Sequence, residues 1–273
     1  MADSGDDEKE DWYEMDHKMR GSAIIFNNKK FKERKLPTGE QYTPQERHGT
    51  DKDADALRKT LGNFGFDPIL IVPDPSKAAI DDALENLAED DHKNSDCIFV
   101  AVLSHGDKGE ISAKDEDYAE SDLWTPFLAD KCKSLVGKPK IFVIQACRGD
   151  AADKGLVVLD QAKPGGAVKK VVASTATTIP VHADFLIARA TPSGYPSMRN
   201  TDSGSYFIQA FCNVLNKYGE KDDLVSILTK VNRRVAQEDM RVEVEGKVED
   251  RKQIPCYSSM LTKKIMLTKN SKS

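Results

Sequence analysis

Runs of consecutive apolar residues alternate along this chain with stretches in which apolar residues recur every three or four positions. Continuous runs are typical of strands buried on both faces of a sheet, and the three-to-four spacing is typical of helices with one buried face. The strand-like runs are Ser22–Asn27, Pro68–Val72, Cys97–Leu103, Lys140–Ala146, Asp184–Ala190 and Tyr257–Leu267. Their alternation with helices predicts an α/β domain, with a mostly parallel sheet and helices on both of its faces.

Four segments have helical spacing. We expect Thr50 to cap the first helix, with Asp53 completing a short capping box, and Gly62 and Gly65 to end it. The second helix is predicted over Ser76–Glu89. The last two carry apolar stripes that we interpret as core packing, formed by Phe207, Ala210, Phe211, Val214, Leu215 and Tyr218, then by Leu224, Ile227, Leu228, Val231 and Val235.

One long segment, Arg148–Thr178, breaks this alternation. It is rich in Gly, Ala, Lys, Asp and Thr and has little apolar content. A loop of this length without structure of its own is uncommon in a compact domain, and is usually functional or disordered. Because it contains Asp150, Asp153 and Asp160, it offers sites at which a protease could cut the chain.

The charge of the 273-residue chain is unevenly placed. Its net charge is −5, but residues 1–16 alone carry −7 and the remainder +2. The acidic leader 1–16 is therefore expected to be solvated and disordered. A near-neutral body argues against nucleic acid as a partner, since such proteins present a strongly basic face.

Cysteine and histidine usage argues against a disulfide framework and against a metal. The five cysteines lack CxxC spacing, and the five histidines are scattered without an HExxH motif. We therefore expect no metal and no other cofactor. No secretory signal opens the chain and no apolar run is long enough for a membrane helix, which favours the reducing cytoplasm.

Chemically reactive residues follow two of the predicted strands. Ser104-His105-Gly106 follows Cys97–Leu103, and Gln145-Ala146-Cys147-Arg148-Gly149 follows Lys140–Ile144. If these strands are parallel neighbours, His105 and Cys147 meet at one sheet edge, where ligands of α/β proteins bind. A thiol beside an imidazole can become a thiolate nucleophile, and the backbone N–H groups at Gly106 and Cys147 could stabilise an oxyanion.

The pattern Gln145-Ala146-Cys147-Arg148-Gly149, with His105 42 residues before Cys147, resembles the caspase signature. The resemblance to caspases extends from Tyr13 to Leu267. The short leader, which has no room for a recruitment domain, points to the executioner type. The stretches that carry the likeness are Arg47–Asp51, Leu103–Gly106, Gly137–Lys140, Ile144–Gly149, Ile179–Leu186, Ser197–Asn200, Gly204–Phe207 and Gln253–Met260.

The resemblance implies a caspase-like (caspase–hemoglobinase) fold, with a six-stranded, mainly parallel sheet flanked by helices. It also implies a chain divided into the leader 1–16, a large subunit 17–160, a linker 161–178 and a small subunit 179–273. Cleavage after Asp160 or Asp153 would separate the subunits. Two such units would pair through the last strand into a homodimer. An upstream activating caspase and inhibitor-of-apoptosis-type inhibitors are the expected protein partners.

By motif position, His105 and Cys147 would form the catalytic dyad, with Gly106 in the oxyanion hole. Arg47, Gln145 and Arg199 would bind an aspartate before the scissile bond, and the backbone of Ser197 would hold the substrate as an added strand. Two guanidinium groups can grip a carboxylate and reject an uncharged side chain, because their own charges would then stay unpaired.

Some positions depart from the family pattern. The usual Tyr-Tyr-Ser-Trp-Arg run is Tyr195-Pro196-Ser197-Met198-Arg199, so flexible Met198 replaces a rigid indole. The loop Asp239–Asp250 offers valines instead of aromatic residues, although Asn200 could supply one polar contact. We therefore expect tolerance of valine four residues before the cut, as in Val157-Val158-Leu159-Asp160.

The sequence as a whole predicts an executioner-type cysteine endopeptidase that acts in apoptosis, cleaves proteins after aspartate and is made as a zymogen. The alternative is a catalytically weak caspase homologue that acts as a regulatory or binding partner; it would lack the dyad or the arginines, and none is missing. A nucleotide-binding domain is disfavoured, because Asn27-Asn28-Lys29-Lys30 stands where a glycine-rich phosphate loop would follow the first strand.

Overall fold

The computed structural model describes residues 11–35, 39–149, 180–244 and 247–269. Its helices are α1 (Thr50–Asn63), α2 (Lys77–Glu89), α3 (Tyr206–Tyr218) and α4 (Leu224–Gln237). Its strands are β1 (Ala23–Asn27), β2 (Arg34–Lys35), β3 (Gln41–Tyr42), β4 (Ile69–Pro73), β5 (Ile98–Leu103), β6 (Gly106–Asp107), β7 (Glu110–Ser112), β8 (Asp117–Ala119), β9 (Lys140–Gln145), β10 (Phe185–Arg189), β11 (Arg199–Asn200), β12 (Gly204–Ser205), β13 (Met240–Val244), β14 (Lys247–Arg251) and β15 (Cys256–Ser259). Short 3₁₀ helices occupy His92–Asn94, Glu120–Leu123, Thr125–Phe127 and Lys133–Leu135.

A six-stranded sheet forms the centre of the domain, in the order β15-β10-β9-β5-β1-β4. The five strands from β10 to β4 in this order are parallel, and β15 alone joins antiparallel. The predicted mainly parallel, six-stranded α/β sheet is therefore confirmed.

Helices cover both faces of this sheet, as the sequence predicts. Successive side chains of the inner strands lie on opposite faces of the sheet, so each strand contributes residues to two hydrophobic core clusters. On β5, for example, Phe99 and Ala101 belong to one core cluster and Val100 and Val102 to the other. The first cluster packs against α1, α3 and α4, and the second against α2 and the short 3₁₀ helices.

Two predicted strands differ from the observed ones. The last strand was expected over Tyr257–Leu267, but β15 spans only Cys256–Ser259. Beyond it, Ile265 and Leu267 are buried in the first core cluster without joining the sheet. The strand predicted over Pro68–Val72 corresponds to β4, which lies at the edge of the sheet. Its Leu70 is half exposed, so this strand is not buried on both faces.

The predicted cap of α1 is wrong. The helix begins after Gly49, which has a left-handed backbone (φ 83°), and no side chain caps it. The Thr50 hydroxyl instead donates to Asn27 Oδ1 at 2.7 Å. The Asp53 carboxylate accepts the backbone N–H of Ser205 at 2.9 Å. These two polar groups join α1 to neighbouring segments instead of closing its first turn.

The predicted disordered leader is also too long, because residues 11–16 belong to the folded domain. Tyr13 is buried, and its hydroxyl donates to Asp184 Oδ1 at 2.7 Å. Its backbone N–H donates to the carbonyl of Lys264 at 3.0 Å. Burial is the main reason that the pKa of Tyr13 is raised to about 12.

The remaining predictions on the leader and the linker lie outside the described residues. These concern residues 1–10 and the cleavage candidates Asp150, Asp153 and Asp160. In the part of the chain that the structure does describe, no helix is long and apolar enough to cross a membrane.

Candidate active site

The register of two central strands brings His105 and Cys147 to the same edge of the sheet. Strands β5 and β9 are parallel neighbours, and Leu103 is paired with Gln145. His105 and Cys147 each lie two residues beyond that pair, and Ser104 N–H donates to the Gln145 carbonyl at 3.0 Å. The strand arrangement on which the predicted dyad depended is therefore present.

The ring of His105 is oriented by one hydrogen bond and one aromatic contact. Its Nε2 lies 2.7 Å from the carbonyl oxygen of Gln45, and its centroid lies 5.0 Å from that of Phe31. A carbonyl can only accept, so Nε2 carries the hydrogen and the neutral ring keeps its lone pair on Nδ1.

Several effects lower the pKa of His105. Burial of the ring is the largest, and the charges of Arg47, Arg199 and Arg34 act in the same direction, against the opposing hydrogen bond to Gln45. A lowered pKa favours the neutral imidazole, which is the form that can accept a proton from a thiol.

The Cys147 thiol is partly exposed and lies against Ser197. The Ser197 N–H donates to Sγ at 3.4 Å, and Sγ lies 3.8 Å from the Ser197 carbonyl and 3.7 Å from its hydroxyl. Among the described residues these are the hydrogen bonds of the thiol, and none joins it to His105.

Gly106 lies so close to the Cys147 backbone that a side chain would not fit. A Cβ at this position would stand 2.7 Å from the Glu110 carbonyl oxygen and 2.9 Å from that of Cys147. Gly106 opens the hairpin β6–β7, where it pairs with Ile111. The absence of a side chain at Gly106 therefore allows its backbone to lie against that of Cys147.

Arg47 is fully buried, and only one of its three guanidinium nitrogens forms hydrogen bonds to the described residues. Its Nη1 donates to the Asn28 carbonyl at 3.0 Å and to the Thr50 hydroxyl at 2.8 Å. Its Nε and Nη2 have no hydrogen-bond partner among the described residues. Burial, followed by the charge of Arg199, lowers the pKa of Arg47. Two nitrogens of a buried guanidinium are therefore left without a hydrogen-bond partner among the described residues, an arrangement that a bound carboxylate would relieve.

Arg199 is held beside Arg47 by the chain that precedes α1. Its Nε donates to the His48 carbonyl at 2.7 Å. Gly49 permits the approach, since a Cβ there would lie 2.8 Å from the Asn200 carbonyl oxygen. Burial lowers the pKa of Arg199 as well. The two guanidinium groups predicted to bind one carboxylate are therefore brought together.

Gln145 is linked to the Cys147 thiol through Ser197. Its Nε2 donates to the Ser197 hydroxyl at 2.9 Å, and Ser197 in turn contacts the Cys147 sulfur. The buried Gln145 Oε1 has no partner among the described residues. Gln145, Ser197 and Cys147 thus form one connected group, as the predicted pocket requires.

Met198 and Asn200 lie on either side of Arg199. Met198 N–H donates to Gln253 Oε1 at 2.6 Å, and its side chain packs against the first core cluster. The Asn200 Oδ1 accepts the N–H groups of Asp202 and Ser203 at 2.8 and 3.0 Å. Because this oxygen already accepts two hydrogen bonds within a local turn, the Nδ2 group of Asn200 is the one that could bind a ligand.

The segment Asp239–Asp250, which the sequence analysis treats as a loop, contains the hairpin β13–β14.

Three supporting residues of the site were not identified from the sequence. Gln45 orients His105 through its backbone, so no side-chain pattern could reveal it. Phe31 packs on the imidazole from a polar loop. Asp53 is buried and accepts both Ser205 N–H and Gln209 Nε2, which fixes the hairpin that carries Arg199 to α1. For Asp53 alone the sequence offered a signal of this role, namely a carboxylate next to the apolar stripe of α1.

A separate cleft of about 470 Å³ lies on the other side of His105. Tyr42, Gln45 and Gly106 contribute to its lining. His105 and Gly106 line this cleft and the two arginines do not, so it is distinct from the arginine pocket. No group of His, Cys, Asp and Glu in the described part of the chain could hold a metal ion.

Comparison with known proteins identifies close relatives of this chain. A family model described as caspase domain matches residues 20–266. Caspase-1 of Spodoptera frugiperda is 41% identical over 259 residues, which cover 94% of this chain and 82% of that protein. Caspase-7 of Gallus gallus is 40% identical, over 93% of this chain and 79% of that protein. The crystal structure of the Spodoptera frugiperda protein superimposes with a TM-score of 0.82 at 39% identity and covers 96% of this chain and 95% of that one.

The lowered pKa of His105 can be tested directly. In Cys147→Ala protein, we expect the His105 imidazole to titrate below about 6.5, the value for an exposed histidine, because burial and the arginines disfavour its cation. The neutral base is then present at pH 7 and is lost only as the pH falls through the lowered pKa. Nitrogen-15 chemical shifts of the ring, followed against pH, measure this value.

Arg199→Gln should raise the pKa of His105, since it removes a nearby positive charge. Arg58→Gln, on the exposed surface of α1, is the matched control and should leave the titration unchanged. A ring that titrates at or above 6.5, or one that ignores Arg199→Gln, would contradict this account of the site.

Proposed function

The chain belongs to the caspase family of cysteine proteases, and from this we propose that it is an active endopeptidase that cleaves proteins after aspartate. The observation that carries the proposal is the partly satisfied guanidinium of Arg47. It is fully buried, two of its nitrogens lack partners among the described residues, and a second guanidinium lies beside it. A substrate carboxylate would supply the missing charge and hydrogen bonds.

In the proposed mechanism, Cys147 is the nucleophile and His105 the base. Nδ1 of His105 takes the thiol proton, and Sγ attacks the carbonyl carbon of the scissile peptide bond. The carbonyl oxygen becomes an oxyanion at the backbone of Gly106 and Cys147. His105 then gives its proton to the departing amine, which leaves an acyl-enzyme thioester.

Hydrolysis of that thioester completes the cycle. His105 takes a proton from water as the hydroxyl attacks the thioester carbonyl, and the proton returns to sulfur when the carbon–sulfur bond breaks. The hydrogen bond from Nε2 to the Gln45 carbonyl keeps Nδ1 as the proton acceptor in both halves of the reaction.

We expect Cys147→Ala to remove activity and leave the fold intact, because the hydrogen bonds of the thiol to the described residues are long and its position is partly exposed. Cleavage of an aspartate peptide measures the activity.

The same pocket accounts for the proposed choice of aspartate. An asparagine side chain has the same shape but would leave Arg47 and Arg199 with unpaired charges. A site of buried charged groups rejects such an isostere strongly. The Ser197 backbone lies beside Cys147, where it can hold the substrate as an added strand.

The finer assignments are also proposals. They are an executioner role in apoptosis, a cytoplasmic zymogen activated by an upstream caspase, control by inhibitor-of-apoptosis-type proteins, and a homodimer that pairs through β15. The position of β15 at one edge of the sheet supports the last of these. The alternative of a catalytically weak regulatory homologue is disfavoured, because the sequence lacks none of His105, Cys147, Arg47 and Arg199.

Specificity for aspartate is the first test of the proposed function. Arg47→Gln and Arg199→Gln should each lower kcat/KM on an aspartate peptide by about 30- to 5000-fold, since a buried charged contact of this kind is worth about 2–5 kcal/mol. The matched asparagine peptide should be cleaved poorly by all variants. Arg58→Gln is the control, and equal cleavage after Asn and Asp by the unaltered protein would contradict the pocket.

The second test concerns the residue four places before the cut. We expect kcat/KM for Val-Glu-Val-Asp and Asp-Glu-Val-Asp peptides to differ by less than about 30-fold, or about 2 kcal/mol, because flexible Met198 offers an apolar, adaptable contact in place of a rigid indole. Met198→Trp should shift the ratio and Met198→Leu should not. A larger preference of the unaltered protein for the acidic peptide would show that this pocket demands a carboxylate.

Maturation gives a third test. We expect overexpressed protein to cut itself within the segment 148–178 and to yield a small fragment that begins at Gln161, with Asp160→Ala slowing or blocking the conversion. N-terminal sequencing of the fragment decides between the sites. A fragment that begins at Lys154 would assign the cut to Asp153, and Cys147→Ala protein should stay whole.

A further inference from the structure

Strand β4 leaves one side of the central sheet unpaired. It bonds to β1 on its inner side, and among the described residues no strand lies on its outer side. Ala23 N–H donates to the Pro68 carbonyl and Asp74 N–H to the Asn27 carbonyl, both at 2.9 Å. Because alternate residues of a strand direct their backbone groups to opposite sides, the N–H and C=O of Ile69 and Ile71 point away from the sheet.

The side chains of β4 do not protect this edge. Exposed edges are usually blunted by charged residues, by proline or by very short strands. The sequence of β4 is Ile-Leu-Ile-Val-Pro, which contains no charge and has its proline only at the last position, so the outward N–H groups of Ile69 and Ile71 are kept. Leu70 is 50% exposed. An uncharged, apolar edge of this kind is a template for another strand.

An apolar groove of about 490 Å³ runs between β4 and α2. Val72 packs against the second core cluster, and Leu70, two residues earlier, shares its face and borders the groove. The opposite wall is formed by Ala79, Ala83 and Leu87 of α2. The groove can therefore take an apolar side chain from a strand that pairs with β4.

The charged residues that line the groove are acidic, which favours a partner segment with basic side chains. The charged residues in its lining are Asp82 on α2 and Asp90, which directly follows the helix; both are exposed. Neither forms an ion pair among the residues that the structure describes. They stand eight residues apart, or about 12 Å along a helix, which matches the roughly 13 Å between residues i and i+4 of a strand.

We propose that β4 and α2 form a docking site for an extended segment of a partner protein, which pairs with Ile69 and Ile71 as an additional strand of the sheet. The segment carries an apolar residue that enters the groove, with a Lys or Arg two positions to either side that meets Asp82 and Asp90. A second copy of the chain fits less well, because β4 has no basic residue to offer those carboxylates. The site lies at the opposite edge of the sheet from β15, so it is independent of the proposed dimer and of the proposed proteolysis.

The experiment uses a fluorescein-labelled Gly-Lys-Thr-Val-Thr-Lys-Gly peptide, with anisotropy as the readout. The Glu-for-Lys peptide is the charge control. Two further peptides are N-methylated, one at both threonines and one at the valine. Since a strand turns alternate N–H groups towards its partner, we expect one of these two to lose binding and the other to keep it.

Protein variants assign the binding to the groove. Asp82→Asn with Asp90→Asn should weaken binding by about 10-fold and flatten its dependence on salt, the effect of losing two exposed ion pairs. Leu70→Lys should weaken it further by charge repulsion and loss of the apolar wall. Asp55→Asn and Val136→Lys make the same changes at exposed sites elsewhere and should bind the peptide as the parent does.

Three results would overturn the proposal. These are equal binding of the Lys and Glu peptides, equal binding of the two N-methylated peptides, and no binding of the Lys peptide at millimolar concentration. Light scattering that shows self-association dependent on Leu70 would replace the partner strand with a second copy of the chain. Every variant should cleave short aspartate peptides at the parent rate, so a failure here is distinguishable from a failure of the proposed function.

Discussion

The burial of Arg47 is the constraint on which the site depends. A cation removed from water costs several kcal/mol unless charges and hydrogen bonds replace its hydration. Here the Asn28 carbonyl and the Thr50 hydroxyl satisfy one nitrogen, and the carboxylate of Asp53 lies near enough to favour the charged form. The end of β1, the first turn of α1 and the hairpin β11–β12 are thereby joined around one guanidinium that still lacks part of its hydrogen bonding.

Segments from both sides of residues 150–179 complete the site. Arg47, His105 and Cys147 precede that stretch, whereas Ser197 and Arg199 follow it. Ser197 contacts the Cys147 sulfur, and Arg199 binds the carbonyl of His48. Because β10 pairs with β9, the two halves share one sheet and are joined by its hydrogen bonds as well as by the chain between them. This arrangement is compatible with the maturation that we propose.

The two edges of the sheet have different properties. At one edge, β15 is short and antiparallel, and the homodimer that we propose would pair through it. At the other, β4 is parallel, uncharged and bordered by an apolar groove with acidic residues at its rim. Since both edges can accept a strand, the sheet that positions the dyad could also join the domain to other chains without altering the active site.

The sequence alone determined the sheet, the helices and the pair His105 and Cys147, because continuous apolar runs, helical stripes and the Gln145–Gly149 motif are local signals. It also indicated the arginine pocket through resemblance to caspases. Only the tertiary structure showed that Thr50 and Asp53 join segments instead of capping α1, that Tyr13 is part of the core, and that the Gln45 carbonyl orients His105. These contacts join residues distant in sequence, often through backbone atoms that every residue shares. Their partners are set by how the elements pack, so no local pattern of residue types could have specified them.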